Sequence, residues 1–113
     1  MALTELAAMR ALVPEGQRIL GLDLGTKTIG TALSDVNWTI ATPLETIRRV
    51  KFTPDVAALL ALAERHGVGG LVVGLPKNLD GTEGPRAQST RAFVRNLVPK
   101  TGLPIAFWDE RLS

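Results

Sequence analysis

Arg18-Ile-Leu-Gly-Leu-Asp-Leu24, followed at once by Gly25-Thr-Lys-Thr-Ile-Gly30, is the stretch on which the fold turns. Ile19, Leu20, Leu22 and Leu24 read as a buried strand over 18–24, interrupted only by Gly21 and one acid, Asp23. Gly25-Thr26-Lys27 predicts a turn into a second strand over 28–34, where Ile29, Thr31 and Leu33 alternate with smaller residues. A further turn at Asp35-Val36-Asn37 predicts a third strand from Trp38 towards Ile47. Three consecutive strands with tight connections make an antiparallel meander.

Beyond it the period changes. Thr53-Pro54-Asp55 reads as a helix start, with Thr53 as N-cap, Pro54 at the first helical position and an acid in the first turn. Val56, Leu59, Leu60 and Ala63 supply its apolar face, and Gly67 after His66 supplies its stop. The apolar run Gly70–Leu75 predicts a strand covered on both faces, as in a parallel sheet. A polar loop over 76–85 leads to a second helix from about Arg86 to Leu97, with Val94 and Leu97 inward. The last strand, over 104–108, runs straight into Asp109-Glu110-Arg111. The order βββαβαβ predicts an α/β fold with a mixed sheet: a meander, then two right-handed crossovers. With no helix after the last strand, one face of that sheet edge is expected to lie bare or to be covered by a partner, which would favour a homodimer. Residues 3–12, rich in Ala and Leu, predict a short helix or leader, so 1–17 are set apart from a domain at 18–113.

A length of 113 residues suits one domain, and 45% hydrophobic with 21% charged residues is globular rather than disordered. The absence of cysteine excludes a disulfide scaffold and any thiolate metal site. No apolar run approaches the roughly 20 residues of a membrane helix. Glu5 and Arg10 break the start of the chain, which lacks a basic secretory leader, so a cytoplasmic protein without a membrane partner is expected. A formal charge of +2 permits nucleic acid as a partner without requiring it. The basic residues gather at Arg48, Arg49 and Lys51, and again at Arg86, Arg91 and Arg95, a pattern that also suits a solvated surface.

Asp23 is the most informative single residue. A carboxylate in the middle of an apolar strand is costly unless paired, hydrogen-bonded or bound to a cation. Glycines on both sides let a ligand come close. The turn that follows offers backbone N–H groups, the hydroxyls of Thr26 and Thr28, and Lys27, which are groups that hold a phosphate. Asp23 could equally cap its own turn. Asp109 and Glu110 stand at a strand end, where open α/β sheets place ligands. Strand alternation allows only one of the two to face Asp23's side. Carboxylates from two strands suit a hard divalent cation, which takes oxygen ligands, though a surface pair with Arg111 explains the same residues. The loop holding Asn78 and Asp80-Gly-Thr-Glu-Gly84 is a plausible substrate rim or a plain connection. His66, the only histidine, suits a C-terminal cap, and the lack of a His or Cys cluster argues against zinc. Trp38 and Trp108 are expected in the core.

Leu22-Asp-Leu-Gly-Thr-Lys-Thr-Ile-Gly30, Val73-Gly-Leu-Pro-Lys-Asn-Leu-Asp-Gly-Thr-Glu83 and Asp109-Glu-Arg-Leu-Ser113 together resemble the YqgF family, also called RuvX. The resemblance runs from about Ile19 to Ser113. It implies a ribonuclease H-like fold, dependence on Mg²⁺ or Mn²⁺, and phosphodiester hydrolysis in the 5′-end maturation of 16S rRNA, with branched DNA as the alternative substrate. Asp23 matches the family's first catalytic aspartate and would bridge the metal ions. Glu110 is the second carboxylate implied, for catalysis and for metal, with Asp109 behind it. Thr26, Lys27, Asn78, Arg86 and Arg111 are candidate contacts to the substrate backbone. Family members continue past Asp-Glu-Arg-Leu-Ser into a helix that carries a further catalytic aspartate, so a longer parent protein is expected. Leu22-Asp-Leu-Gly-Thr26 is also similar to the first hairpin of actin-like ATPases and sugar kinases, which need two such domains. A non-catalytic RNA- or ribosome-binding module is the other reading.

Overall fold

A computed structural model describes Thr4 and residues 6–38 and 40–109. A turn of 3₁₀ helix at Leu6–Ala8 leads into a short helix α1 (Met9–Leu12). Then come β1 (Arg18–Leu24), β2 (Thr28–Ser34), β3 (Ala41–Arg48), α2 (Phe52–Arg65), β4 (Val68–Leu75), α3 (Pro85–Leu97), a 3₁₀ turn at Val98–Lys100 and β5 (Ile105–Asp109). The five strands form one sheet in the order β3-β2-β1-β4-β5. β1–β2 and β2–β3 are antiparallel, whereas β1–β4 and β4–β5 are parallel. This is the meander with two crossovers that the residue pattern predicts.

β1 divides the sheet into two faces. Leu20, Leu22 and Leu24 point into a core shared with Ile29, Leu71, Val73 and Ile105 of the neighbouring strands and with the inner faces of α2 and α3. Leu20 and Leu71 are fully buried, each worth about 1.5–3 kcal/mol relative to exposure. Phe52 and Phe93 meet edge to face at 5.3 Å and join the two helices. Thr31 is buried on the same face, opposite Leu22, where the β2–β3 register shifts. Its hydroxyl donates to the Glu45 carbonyl at 2.6 Å and accepts from the Glu45 N–H at 2.9 Å, which satisfies the irregular strand.

Two element starts differ from the sequence reading. β3 begins at Ala41 rather than near Trp38, because Trp38 takes a left-handed φ of 61° and belongs to the turn. α2 begins at Phe52 with Lys51 as N-cap, so Thr53 and Pro54 lie inside the first turn, where proline's missing N–H costs nothing. No side chain caps the helix; instead Asp55, 5% exposed, accepts the N–H of Val50, just before the helix, at 3.0 Å. The stop at Gly67 is as read, with φ +65°.

The second face is covered at its base by the N-terminal segment. Met9 and Val13 pack on Ala106, Ile19 and Val72, and the Thr4 N–H donates to the Ile105 carbonyl at 2.7 Å along the β5 edge. Gly69 and Gly70 make this approach possible: a Cβ on Gly70 would stand 2.8 Å from Met9 Sδ and 2.9 Å from a Val13 methyl. Substituting Gly70 with valine therefore forces α1 off the sheet. Denaturant unfolding should show a loss of about 1–3 kcal/mol, the scale of overpacking, with the N-terminal segment becoming more open to proteolysis.

Candidate active site

Above the leader, at the C-terminal ends of the parallel strands, none of the described residues covers the second face. A groove of about 370 Å³ lies there, lined by Gly21, Asp23, Gly30, Gly74, Pro43 and Trp108 among others. Register explains the grouping. Asp23 is opposite Gly30, Leu22 is level with Val73, and Gly74 is level with Trp108, so one row crosses the sheet from β2 to β5. Glycines on either side of Asp23 leave the groove floor low.

Asp23 itself is exposed on this face. The cost expected for a carboxylate inside an apolar strand is thus relieved by water, since alternation turns Asp23 away from the leucine face. Trp108 is 36% exposed and lines the same groove, so it is not the core residue the sequence suggested. Trp38 is half-buried against the leader's cluster, donates from its indole N–H to the Gln17 carbonyl at 2.9 Å, and carries Arg10 over its ring at 4.3 Å.

Asp109 is level with Leu75 on β4 and alternates away from Trp108, which places it on the helix side and not on Asp23's face. Glu110 and Arg111 lie outside the described residues. Among the described residues, no three His, Cys, Asp or Glu side chains gather to hold a metal ion. Thr26 and Lys27 are exposed on the β1–β2 turn, and the Gly25 N–H is already donated to the Thr28 carbonyl at 2.8 Å. Asn78 braces its own loop, donating to the Thr82 hydroxyl at 3.0 Å. That hydroxyl in turn bonds Asp80 at 2.6 Å.

Arg86 and Thr26 do meet, in a second cavity around the rim from the groove, together with Arg49 and Thr90. Arg49 had the look of one more surface cation in a basic run, and nothing in the spacing singles it out. The pair Glu83–Arg91 was equally hidden. Its bonds of 2.6 and 2.7 Å are bidentate and tie the 76–85 loop to α3, with Arg91 lying over Phe107 at 5.0 Å.

A family profile described as RuvX, Holliday junction resolvase, matches residues 17–113. The chain belongs to the RuvX family. A relative from Paramagnetospirillum magneticum is 61% identical over 107 residues, covering 95% of this chain and 69% of its own. One from Chelativorans sp. is 58% identical over 113 residues, covering 100% and 69%. Both relatives carry the name pre-16S rRNA nuclease. This RuvX-family chain spans about two thirds of their length. Among solved structures, the large terminase nuclease from thermophilic phage G20c superposes with a TM-score of 0.58 at 18% identity, over 84% of this chain and 45% of that one. T. thermophilus RuvC in complex with a Holliday junction substrate gives 0.55 at 16% identity, over 84% and 66%. These likenesses concern the fold, which is ribonuclease H-like.

The Glu83–Arg91 pair makes a pH prediction. The hydrogen bond from Arg91, and after it the guanidinium's charge, holds the Glu83 carboxyl below the ordinary glutamate range. A lowered folded-state value means that the pair's stabilisation is present above the unfolded value and is lost as pH falls through the folded one. Thermal melts should therefore show a decline beginning below about pH 4.3, and Glu83→Gln should flatten that part of the curve while changing the melting temperature little at neutral pH.

Proposed function

We propose that this chain is a divalent-metal-dependent nuclease of the cytoplasm that hydrolyses phosphodiester bonds of RNA in the 5′-end maturation of 16S rRNA. The observation that carries this reading is the open row Asp23, Gly30, Gly74 and Trp108 at the C-terminal ends of the parallel strands, in a chain whose relatives bear that name. Open α/β sheets bind their ligands at this end.

The donor chemistry suits a hard cation. Asp23 offers carboxylate oxygens to solvent, and Mg²⁺ or Mn²⁺ needs only one or two protein carboxylates beside water and substrate phosphate. Asp23 would hold the cation, with Glu110, the carboxylate that the family resemblance implies, as the second ligand. When bound, the cation supplies Lewis acidity and a more acidic water. The glycine floor lets a sugar-phosphate backbone come down to Asp23, and Lys27, exposed on the adjoining turn, can meet its negative charge. Asn78 and Arg111 are further backbone contacts in this reading. Asp109, on the other face, would shape the strand end without touching the cation.

Cleavage of an RNA spanning a 16S precursor 5′ end, with Mg²⁺ or Mn²⁺, tests this. Asp23→Asn keeps the shape and removes the charge, and should lower the rate at least about 100-fold, the scale on which one electrostatic stabiliser acts. RNA binding should persist. Equal cutting by both proteins would move the site elsewhere. Cutting of a four-way DNA junction in place of RNA would reassign the substrate. Binding without cleavage, unchanged by chelator, would leave an RNA- or ribosome-binding module.

A further inference from the structure

The rim cavity near Arg49 is separate from the Asp23 groove, and its lining is cationic and hydroxylic. It holds about 220 Å³ between the β1–β2 turn and α3, and Thr26, Arg49, Arg86, Thr90 and Phe93 are among the residues that line it. That is smaller than the ~300–1,000 Å³ of a drug-sized site and suits a small group. Among the described residues, no carboxylate lines it.

Two independent features point to an anion. The first is a pair of guanidinium groups on different elements, Arg49 after β3 and Arg86 on α3. Arg49 Nη1 donates to the Gly25 carbonyl at 2.6 Å, and Arg86 Nη2 donates to the Leu24 carbonyl at 3.1 Å. Each bond uses a fraction of a five-donor fork, so each side chain is fixed in place with N–H groups left over. Phe93 backs the first at 5.5 Å, shielding one flank from water. Two like charges drawn to one cavity repel each other, and no acid among the described lining residues offsets them. The second feature is Thr90, which lines the same cavity and whose hydroxyl, with no hydrogen-bond partner among the described residues, stays open to the cavity rather than sealed in the core. A hydroxyl open to a cationic cavity is a donor available to an anion.

We propose that this cavity binds one phosphodiester group of the RNA backbone, at a position flanking the one cut at Asp23. The inference rests on the nucleic-acid reading above and adds to it a fixed anchor for the strand. Arg49 and Arg86 contribute charge and forked donors, Thr90 and Thr26 contribute hydroxyls, and none of them touches the reacting atoms. Charge-assisted bonds to a phosphate from two preorganised forks set the register of the substrate. The anchor and the groove share the end of β1 but lie on opposite faces, so a strand held at both must cross the rim at Gly25.

The test is binding of a single-stranded RNA oligomer to the full chain in chelator, so that no cleavage intervenes, measured between about 50 and 200 mM salt. The double variant R49Q/R86Q should lower the slope of log K against log salt by about 0.7, which is one phosphate on a single strand. T90V should weaken binding roughly ten-fold and leave the slope alone, since the lost group is uncharged. D23N should change neither slope nor affinity by as much as the double variant. An unchanged slope in R49Q/R86Q overturns the anchor while leaving the nuclease reading intact. Absence of RNA binding by the unmodified chain overturns both. If the double variant unfolds, T90V decides alone, and wild-type affinity there overturns the anchor. Inorganic phosphate bound in a T90V-sensitive way, with RNA affinity untouched by any of these changes, would overturn it in favour of a free-anion site.

Discussion

Every feature at the C-terminal end of the sheet follows from the register of β1. Leu20, Leu22 and Leu24 face the helices while Gly21 and Asp23 face the other way. A slip of one residue would exchange the two sets. Three leucines would then surrender about 1.5–3 kcal/mol each, and an ionised carboxylate would enter the core at a further cost of several kcal/mol, of the order ~3–5 for an unpaired buried charge. Few alternatives in a domain of this size are penalised so heavily. With β1 fixed, β2 is aligned through Leu22 and Thr31, and β4 through Leu22 and Val73. The row of Asp23, Gly30, Gly74 and Trp108 is the necessary result.

The same register divides the work of the second face. At the base of the strands, Gly69 and Gly70 let the N-terminal segment settle on the sheet, and Met9 and Val13 seal it with apolar contact. Towards the other end glycines recur at 21, 30 and 74, with the carboxylate of Asp23 between them and none of the described leader residues in the lining. Small residues thus serve two ends: at the base they admit the chain's own helix, and at the rim they leave room. The rim is in turn held by polar ties. Thr31 bridges the bulged β3, Glu83 and Arg91 clamp the long loop to α3, and Arg49 and Arg86 brace the carbonyls where β1 ends.

Much of this was legible in the residues. The bounds of β1 and β2 follow from leucine, isoleucine and glycine spacing alone, because two-fold alternation and tight turns are local properties. Gly67 ends α2 as a left-handed stop for the same reason. What escaped depends on contacts distant in sequence. The start of α2 is set by Asp55 reaching back to Val50, which no cap pattern built on Thr53 reveals. The exposure of Trp108 depends on which side of β5 meets the open groove, and an aromatic in an apolar strand looks the same in either phase. The separation of Asp109 from Asp23 is a matter of parity that only the pairing of Leu75 with Asp109 resolves. Arg49 was hidden because a cation in a basic run carries no sign of its partner, and the Gly25 carbonyl lies far from it along the chain.

Charge placement around the end of β1 has its own logic. An arginine beside Asp23 would form an ion pair, and at short range that attraction competes directly with a divalent cation for the same oxygens. Arg49 and Arg86 are instead turned to the helix side and tied to the backbone carbonyls of Gly25 and Leu24. Binding a guanidinium to a carbonyl holds its position without cancelling its charge, which a carboxylate partner would do. One strand end therefore presents an acceptor on one face and undiminished donors on the other, separated by the thickness of the sheet. On the proposed reading, a polyanion crossing that edge would meet attraction at the rim and, beyond it, an oxygen ligand still available for metal. A sheet with Asp23 and Arg86 on the same face would pair the two charges with each other instead.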